Sequence, residues 1–306
     1  MPIFTAVLFD ILLGDPPNRF HPTAWMGSLI GFLKRFRPYG NRFAEFTHGL
    51  FIVFLGCGLA AGIGWLILVL TSFLPTWFAV LIHGLFLSLT ISLRGLEHAA
   101  KEVQAALAGQ NLTEGRRLLS WHLVSRTTAH LNESQVSAAA IESVAENASD
   151  GIIAPLFFYV FGGLPAAFAY RFANTADSML GYRDVEHEWL GKFPARFDDV
   201  LNFIPARLTG LFIVFSAPFC QASLVQAWNI MWRDSHKTTS PNAGVPMSAM
   251  AGALGVELEK VDHYRLGQGL RSPSIHNLLC ARRLLYVSVW MAALFFTGLS
   301  LYVRSR

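Results

Sequence analysis

Three carboxylates recur at helical spacing in the middle of the chain. Glu142, Glu146 and Asp150 stand at positions i, i+4 and i+8, and at about 100° per residue this spacing places them in one narrow stripe on a helix. Like charges four residues apart repel each other, so the stripe requires a cation. The pattern predicts a Mg²⁺ site, because Mg²⁺ takes one or two carboxylates and leaves positions for water and substrate phosphates. A solvated helix face is the alternative.

Two further polar stripes follow, in residues 170–183 and 196–207. In each of them, polar side chains three or four residues apart share one helical face. Ionisable residues beside apolar segments are costly and usually mark a ligand or ion path, although salt bridges between helices are the alternative for any single residue. The carboxylate, amide and hydroxyl residues of the two stripes are Asn174, Asp177, Ser178, Asp198, Asp199 and Asn202.

Arginines accompany these stripes. A guanidinium group offers a planar fork of donors that fits phosphate or carboxylate oxygens, so we expect these residues to bind an anionic substrate. They are Arg126, Arg171, Arg183, Arg196 and Arg207.

Two weaker clusters lie outside the central region. Near the start of the chain, Asp10 and Asp15 precede His21 in a proline-punctuated turn, where a structural role for the histidine is favoured over a catalytic one. Later, Ser240 and Asn242 open an apolar stretch. A Ser/Asn/Gly turn before a helix can bind an anion through free backbone N–H groups, and it is equally an ordinary helix cap.

The composition predicts that a membrane surrounds the elements that carry these residues. Hydrophobic residues make up 53% of the 306 residues and charged residues 14%, where soluble proteins carry about 25% charged residues. The net charge of +4 comes from Lys and Arg beside apolar segments, as expected near anionic headgroups, and nucleic acid is not an expected partner. The three cysteines have no CxxC spacing, so neither a disulfide framework nor a zinc site is indicated.

Hydropathy predicts an all-α, polytopic membrane protein with about 4–5 transmembrane or re-entrant helical segments and cytoplasmic helical loops. Residues 49–74, 76–93 and 284–303 are long and apolar enough to span a bilayer. Residues 152–173 and 208–228 are interrupted by proline or glycine. Such broken segments are tolerated where they line a protein-buried or watery cavity, and for 152–173 we expect a hairpin. The Gly58-x-x-x-Gly62 spacing predicts close packing of membrane helices.

The distribution of basic residues predicts orientation and organisation. Lys and Arg precede the first span, whereas the turn at Pro75 carries no charge, which places that turn outside and residues 94–150 inside. We expect a single membrane-embedded domain over residues 1–306, with a cytoplasmic helical segment at 94–151 and a polar active-site segment at 174–207. Gly151 and Pro155 are expected to end the helix that carries the acidic stripe.

Four blocks of the sequence resemble the adenosylcobinamide-phosphate synthase (CbiB/CobD) family of cobalamin biosynthesis. They are FDILLGDPPNRFHP (9–22), the long block IESVAENASDGIIAPLFFYVFGGLPAAFAYRFANTADSMLGYR (141–183), ARFDDVLNFIPARLTG (195–210) and SPNAG…AMAGALGV (240–256). The resemblance runs in order over nearly the whole chain.

This resemblance implies an ATP-dependent carbon–nitrogen ligase in a cell (inner) membrane. Its reaction joins a carboxylate of adenosylcobyric acid to (R)-1-aminopropan-2-yl phosphate or a related amino alcohol phosphate, with Mg²⁺ as cofactor and ATP as co-substrate. The expected partners are the corrinoid, the amino alcohol phosphate, membrane lipid and other late cobalamin-assembly membrane enzymes. A non-catalytic sensor or regulatory relative (AmpE-like) is the alternative, which the retained acidic blocks disfavour.

With this chemistry, the candidate site residues fall into three sets. The catalytic set is Glu142, Glu146, Asp150, Asp198 and Asp199. The metal set is Glu146, Asp150 and Asp177. The substrate and phosphate set is Arg126, Asn147, Arg171, Asn174, Asp177, Ser178, Arg183, Arg196, Asn202, Arg207, Ser240 and Asn242.

The chain departs from the family pattern at a few positions. Thr127 follows Ser125-Arg126 where the family usually has Asp, and Thr238-Thr239 replaces His-Pro. Val245 replaces the usual Trp, and Glu259-Lys260 replaces Gly-Gly. These departures leave two alternatives open, a loss of catalysis or a changed amino alcohol substrate.

Overall fold

The computed structural model describes residues 1–182 and 187–304. In the described part the chain is almost entirely helical, as predicted. In chain order the helices are α1 (Pro2–Leu13), α2 (Pro22–Lys34), α3 (Arg42–Thr71), α4 (Thr76–Ser88), α5 (Leu93–Ala108), α6 (Leu112–His122), α7 (Glu133–Ala148), α8 (Ala154–Leu180), α9 (Lys192–Leu201), α10 (Phe203–Ser216), α11 (Leu224–Asp234), α12 (Gly244–Leu254) and α13 (Ile275–Arg304). One antiparallel hairpin, β1 (Leu258–Lys260) and β2 (Tyr264–Leu266), was not predicted.

Five helical stretches in the described part are long and apolar enough to cross a membrane, so the chain is a multi-pass membrane protein. They are Arg42–Thr71, Thr76–Ala108, Glu133–Leu180, Phe203–Cys220 and Ile275–Val303. This agrees with the predicted 4–5 segments, although the fourth ends at Cys220 rather than at residue 228. The orientation of these helices stays a prediction.

The chain divides into two compact units. Unit 1 comprises Met1–Ser92, Ala154–Asn202 and Ala293–Arg306, and unit 2 comprises Leu93–Ile153 and Phe203–Ala292. The predicted segment 94–151 thus lies entirely in unit 2, and the predicted segment 174–207 contributes to both units. The grouping of the whole chain into one membrane-embedded domain stays a prediction.

In unit 1, α3 packs along α8 through two glycines. A Cβ atom at Gly56 would overlap the ring of Phe172, and one at Gly64 would overlap the backbone of Leu164 and Pro165. Because glycine has no side chain, the two helices can approach each other closely at these two positions. The opposite face of α3 exposes large apolar side chains such as Phe51, Leu59 and Trp65, as expected for a surface that faces lipid.

The α8 segment folds back on itself at Gly163. This glycine has φ +62°, a conformation that residues with a Cβ rarely adopt, and Pro165 follows it. The rings of Phe158 and Tyr170 stack with centroids 4.9 Å apart, whereas twelve residues of straight helix would separate them by about 18 Å. The hairpin expected from the Gly and Pro interruptions is therefore present.

The predicted helix end at Gly151 and Pro155 is wrong. After α7 the backbone continues through a π-helical turn at Ser149–Ile153 and directly into α8. Pro155, the second residue of α8, comes directly after this π turn, and a π turn takes up the break that a proline makes in the helical hydrogen-bond ladder. Gly and Pro often end a helix, but here a π turn carries the helical backbone past both residues. Such turns often occur at functional sites.

Candidate active site

The helix α7 carries its acidic residues into the interior of unit 2. It begins at a capping box, in which the Asn132 side chain accepts from the backbone of Gln135 and the Gln135 side chain accepts from the backbone of Asn132. Residues 136–145 are all buried, because small alanine side chains let neighbouring elements pack around the whole helix. A carboxylate on this stretch is therefore held away from bulk water.

Glu142 is the buried carboxylate of this helix, at 5% exposure. Its Oε2 atom lies 3.7 Å from Nη2 of Arg126, and the hydroxyl of Tyr264 lies close to its side chain. Its Oε1 atom is buried and finds no hydrogen-bond partner among the described residues. An unsatisfied buried carboxylate oxygen is costly, so this atom is the strongest indication in unit 2 of a site for a cation or a hydrogen-bonding substrate.

The hairpin brings two further polar residues to the same place. Lys260, the last residue of β1, pairs with Tyr264, the first residue of β2. Both side chains interact electrostatically with the carboxylate of Glu142. Burial, followed by the negative charges of Glu142 and Glu146, raises the pKa of Tyr264 above its usual range. The phenol therefore stays protonated at neutral pH, and its Oη atom lies 3.8 Å from the Sδ atom of Met247. Arg126, Glu142, Glu146, Lys260 and Tyr264 are named the α7 cluster from here on.

A second buried carboxylate anchors the hairpin. Asp234 is fully buried and accepts from Arg233, from Lys237 Nζ at 2.7 Å and from the backbone N of Gly267 at 2.7 Å. Burial alone would raise its pKa, but these hydrogen bonds outweigh burial and hold the pKa at about 2. The permanent charge fixes the chain immediately after β2, and thereby the position of Tyr264.

The other predicted residues near α7 differ in their surroundings. Asn147 is exposed, and its Nδ2 atom donates to the Ser143 backbone O at 2.9 Å and to its Oγ atom at 3.2 Å. Asp150 is half-buried and belongs to the π turn. Because a π turn inserts an extra residue, the i, i+8 spacing from Glu142 no longer fixes the direction of Asp150. Glu142 and Glu146 thus share one site, and the place of Asp150 in it stays a prediction.

In unit 1, a second acidic cluster forms where α8 approaches α9. Asp198 is buried; its Oδ2 atom accepts from Asn202 Nδ2 at 2.9 Å, and its Oδ1 atom accepts from Asn174 Nδ2 at 3.3 Å. Tyr170 in turn donates to Asn202 Oδ1 at 2.8 Å. Burial first, and then the charge of nearby Asp177, raises the pKa of Asp198 to about 7.

Asp199 joins this cluster from the solvent side. The negative charge of Asp199 repels those of Asp177 and Asp198. Asp199 also lines a cavity of about 300 Å³ together with Lys192 and Arg196. Three carboxylates and two amides therefore lie near one another in unit 1, with Lys192 and Arg196 beside Asp199. The residues Asn174, Asp177, Asp198, Asp199 and Asn202 are named the α9 cluster from here on.

Two predicted anion-binding residues of unit 1 are engaged elsewhere. Arg171 donates through Nε to Thr23 Oγ1 at 3.4 Å and lies close to Asp15. Ser178 donates to the Asn174 backbone O of its own helix and is exposed. Arg183 lies outside the described residues, so its role stays a prediction.

The N-terminal histidine has a structural role, as favoured from the sequence. The Nδ1 atom of His21 accepts from the Thr23 backbone N at 3.1 Å and so caps α2, while its Nε2 atom lies 3.3 Å from Asp15 Oδ1.

The residues around Ser240 form a turn that precedes α12 in unit 2. The Oγ atom of Ser240 accepts from the backbone N atoms of Asn242 and Ala243. Arg207 donates to Asn242 Oδ1 at 3.0 Å and to the Phe203 backbone O at 2.7 Å. The backbone N–H groups of Asn242 and Ala243 are thus engaged within the turn, and α12 has no side-chain cap at Ala243. Much of the donor capacity of Arg207 is also used within the protein, so an anion-binding role for Ser240 and Asn242 stays a prediction.

The predicted metal ligands belong to different units, since Glu146 and Asp150 lie in unit 2 and Asp177 in unit 1. No group of three or more His, Cys, Asp or Glu side chains among the described residues is arranged to hold a metal by itself. A Mg²⁺ ion that shares its coordination with substrate phosphates needs only one or two carboxylates. Glu142, with its unpartnered oxygen, and Glu146 fit that lower requirement.

Sequence reasoning missed Lys260 and Tyr264. They are more than 110 positions from Glu142 along the chain, and helical periodicity relates only residues of one helix. The sequence does contain one signal for Lys260, because the pair Glu259-Lys260 replaces the usual Gly-Gly of the family pattern.

Comparisons with known proteins agree over most of the chain. The family model described as "CobD/Cbib protein" matches residues 3–283. "Cobalamin biosynthesis protein CobD" of Dehalococcoides mccartyi is 42% identical over 283 residues, which cover 90% of this chain and 89% of that protein. "Cobalamin biosynthesis protein CbiB" of Salmonella typhimurium is 38% identical over 298 residues, which cover 94% and 93%. No solved structure matches the chain.

Proposed function

The chain belongs to the CobD/CbiB family and takes part in cobalamin biosynthesis, and from this premise we propose that it is an adenosylcobinamide-phosphate synthase. The proposed reaction forms an amide between a carboxylate of adenosylcobyric acid and the amine of (R)-1-aminopropan-2-yl phosphate or a related amino alcohol phosphate. ATP is the proposed co-substrate, and the inner cell membrane the proposed location. Other membrane enzymes of late cobalamin assembly are proposed partners.

The observation that carries this proposal is the α7 cluster, with the unpartnered Oε1 atom of buried Glu142. A carboxylate is a poor electrophile, so amide formation requires its activation. In the proposed sequence, a carboxylate oxygen of the corrinoid attacks the γ-phosphorus of ATP, and the bond to ADP breaks. The amine then attacks the acyl carbon, the acyl C–O bond breaks, and inorganic phosphate leaves. The proton of the amine passes to a protein carboxylate.

Charge distribution in the α7 cluster supports this chemistry. Both co-substrates carry phosphate, and Arg126 and Lys260 supply positive charge beside the two carboxylates. Tyr264 keeps its proton and can donate to a substrate oxygen. When bound at Glu142 and Glu146, Mg²⁺ would neutralise phosphate charge during phosphoryl transfer.

Two carboxylates are proposed as acceptors of the amine proton. Glu146 is half-buried at the α7 cluster, so it combines access to substrate with partial desolvation. Asp198 of the α9 cluster is the alternative, because a pKa of about 7 suits a group that exchanges protons near neutral pH.

The test is turnover by purified protein in detergent with adenosylcobyric acid, the amino alcohol phosphate, Mg²⁺ and ATP, with product detected by mass spectrometry. We expect Glu142→Gln and Glu146→Ala to abolish ligation while the protein remains folded. Glu133→Gln is the matched control, since Glu133 is an exposed carboxylate on the same helix. Near-normal turnover in both site variants would refute the assignment of the α7 cluster. Absence of product from the unaltered protein would refute the reaction itself.

A further inference from the structure

A second site-sized cavity lies in unit 2 apart from the α7 cluster. It has a volume of about 540 Å³ and opens where the stretch Phe203–Cys220 ends and the stretch Ile275–Val303 begins. Both stretches are candidate membrane spans, so the cavity lies at the ends of two apolar helices.

The described lining of this cavity carries positive charge. Two arginines, Arg271 and Arg283, line it together with His276, and the described lining includes no Asp or Glu. Among the described residues, none of the ion pairs involves Arg271 or Arg283, whereas the adjacent Arg282 is paired with Glu97. The positive charge is therefore not neutralised by a carboxylate, and an anion would be attracted into the cavity.

The first turns of α13 add directed donors to this charge. His276, Cys280, Arg283 and Val287 are spaced four, three and four residues apart and line the cavity from one face of the helix. The Asn277 Oδ1 atom accepts from the backbone N and the Oγ of Ser274, which leaves its amide nitrogen as a donor. The positive end of the helix dipole favours an anion at this position.

The remaining wall is apolar and aromatic. Phe219, Leu254, Tyr286 and Val287 also line the cavity. A cavity lined by both arginines and apolar side chains fits a ligand that carries both a phosphate and a hydrocarbon portion. Basic pockets between membrane helices bind lipid headgroups by the same combination.

We propose that this cavity binds a phosphate-bearing ligand, with the phosphate against Arg271 and Arg283 and the apolar portion against Phe219 and Tyr286. The phosphate belongs either to an anionic phospholipid or to a soluble phosphomonoester. The position at the ends of two candidate membrane spans favours the phospholipid. This proposal stands independently of the proposed ligation, since none of its residues belongs to the α7 or α9 clusters.

The first test measures binding to the full-length protein in detergent by native mass spectrometry. The probes are phosphatidylglycerol, phosphatidylcholine, O-phosphoethanolamine and inorganic phosphate. We expect phosphatidylglycerol or O-phosphoethanolamine to bind, and Arg271→Gln with Arg283→Gln to weaken that binding by about tenfold or more. Arg117→Gln is the matched control, because Arg117 is an exposed arginine of unit 2 outside the cavity.

The second test does not depend on arginine variants that could fail to fold. In a Cys57→Ser, Cys220→Ser background, Cys280 reports on the cavity that it lines. A bound ligand should slow the modification of Cys280 by a small thiol reagent. Protection by phosphatidylglycerol alone assigns the lipid, and protection by O-phosphoethanolamine assigns the soluble phosphomonoester. If no probe protects Cys280, or if phosphatidylcholine protects as well as phosphatidylglycerol, the proposal is wrong.

Discussion

Replacing Asp234 by Asn should loosen the hairpin that presents Tyr264. Asp234 accepts from Arg233, Lys237 and the Gly267 backbone N. An asparagine of the same shape keeps one acceptor oxygen but turns an N–H group toward a donor. The end of β2 then loses its charged anchor, and Tyr264 loses the support that holds it beside Glu142.

The size of the effect follows from the pKa of Asp234. Its lowering from 3.8 to about 2 corresponds to about 2.5 kcal/mol at about 1.4 kcal/mol per unit. The side chain of Asp234 is fully buried, but Arg233 and Lys237 are 48% and 31% exposed, so water screens part of the interaction. We therefore expect a loss of about 1–2 kcal/mol, or a fall of about 3–6 °C in the unfolding midpoint of a unit of this size.

The stabilisation has a defined pH dependence. Because the folded state lowers the pKa, the contribution is fully present above the unfolded value of 3.8 and is lost as pH falls through about 2. The difference between Asp234→Asn and the unaltered protein should therefore be constant from pH 8 to about 5 and should shrink below about 4.

The assay combines thermal unfolding in detergent with hydrogen exchange at residues 258–267. Asp262→Asn is the matched control, since Asp262 is an exposed carboxylate of the same hairpin with φ +62°, a conformation that Asn also adopts. The reasoning would be refuted if Asp234→Asn unfolded at the same temperature as the control and left exchange in the hairpin unchanged.

Four further predictions concern the two clusters and the packing of unit 1. Tyr264→Phe removes a hydroxyl donor that lies beside Glu142 and should lower turnover by about tenfold at unchanged unfolding temperature; unchanged turnover would contradict a role for the phenol. Lys260→Gly removes a cation from the α7 cluster and should raise KM for the amino alcohol phosphate more than it lowers kcat, as steady-state kinetics would measure; an unchanged KM would contradict this. Because the folded state raises the pKa of Asp198 to about 7 from 3.8, stability should decline as pH rises between these values, and Asp198→Asn should flatten that decline in the presence of a chelator; an unaltered thermal unfolding profile would contradict it. Gly64→Leu should lower the unfolding temperature because its Cβ atom overlaps the backbone of Pro165, whereas Gly62→Leu, at a position without such contacts in the described chain, should not.

The membrane architecture was predictable because length and hydropathy of single helices determine it. The fold-back at Gly163 was predictable for the same reason, since Gly and Pro act locally on the backbone. The glycine spacing was misleading. A Cβ atom added at Gly58 or Gly62 would lie more than 4 Å from any neighbouring atom of the described chain, whereas Gly56 and Gly64 make the close approach to α8. Several glycines satisfy the same spacing, and only the orientation of α3 decides which of them face a neighbouring helix.

The acidic residues of the candidate site were predictable, whereas their partners were not. Periodicity correctly placed Glu142 and Glu146 together, because one helix relates them. Tyr264 reaches Glu142 only through the hairpin and its anchor at Asp234, and no local pattern encodes that contact. Arg171 is a second example, since it lies on α8 but contacts Thr23 of α2.

The most direct test of the proposed function is the formation of adenosylcobinamide phosphate by purified protein. Mass spectrometry would follow the incubation of adenosylcobyric acid with (R)-1-aminopropan-2-yl phosphate, ATP and Mg²⁺, for the unaltered chain and for Glu142→Gln. We predict product and stoichiometric ADP with the unaltered chain and neither with the variant. Equal product from both proteins would contradict the central role given to the buried carboxylate of α7.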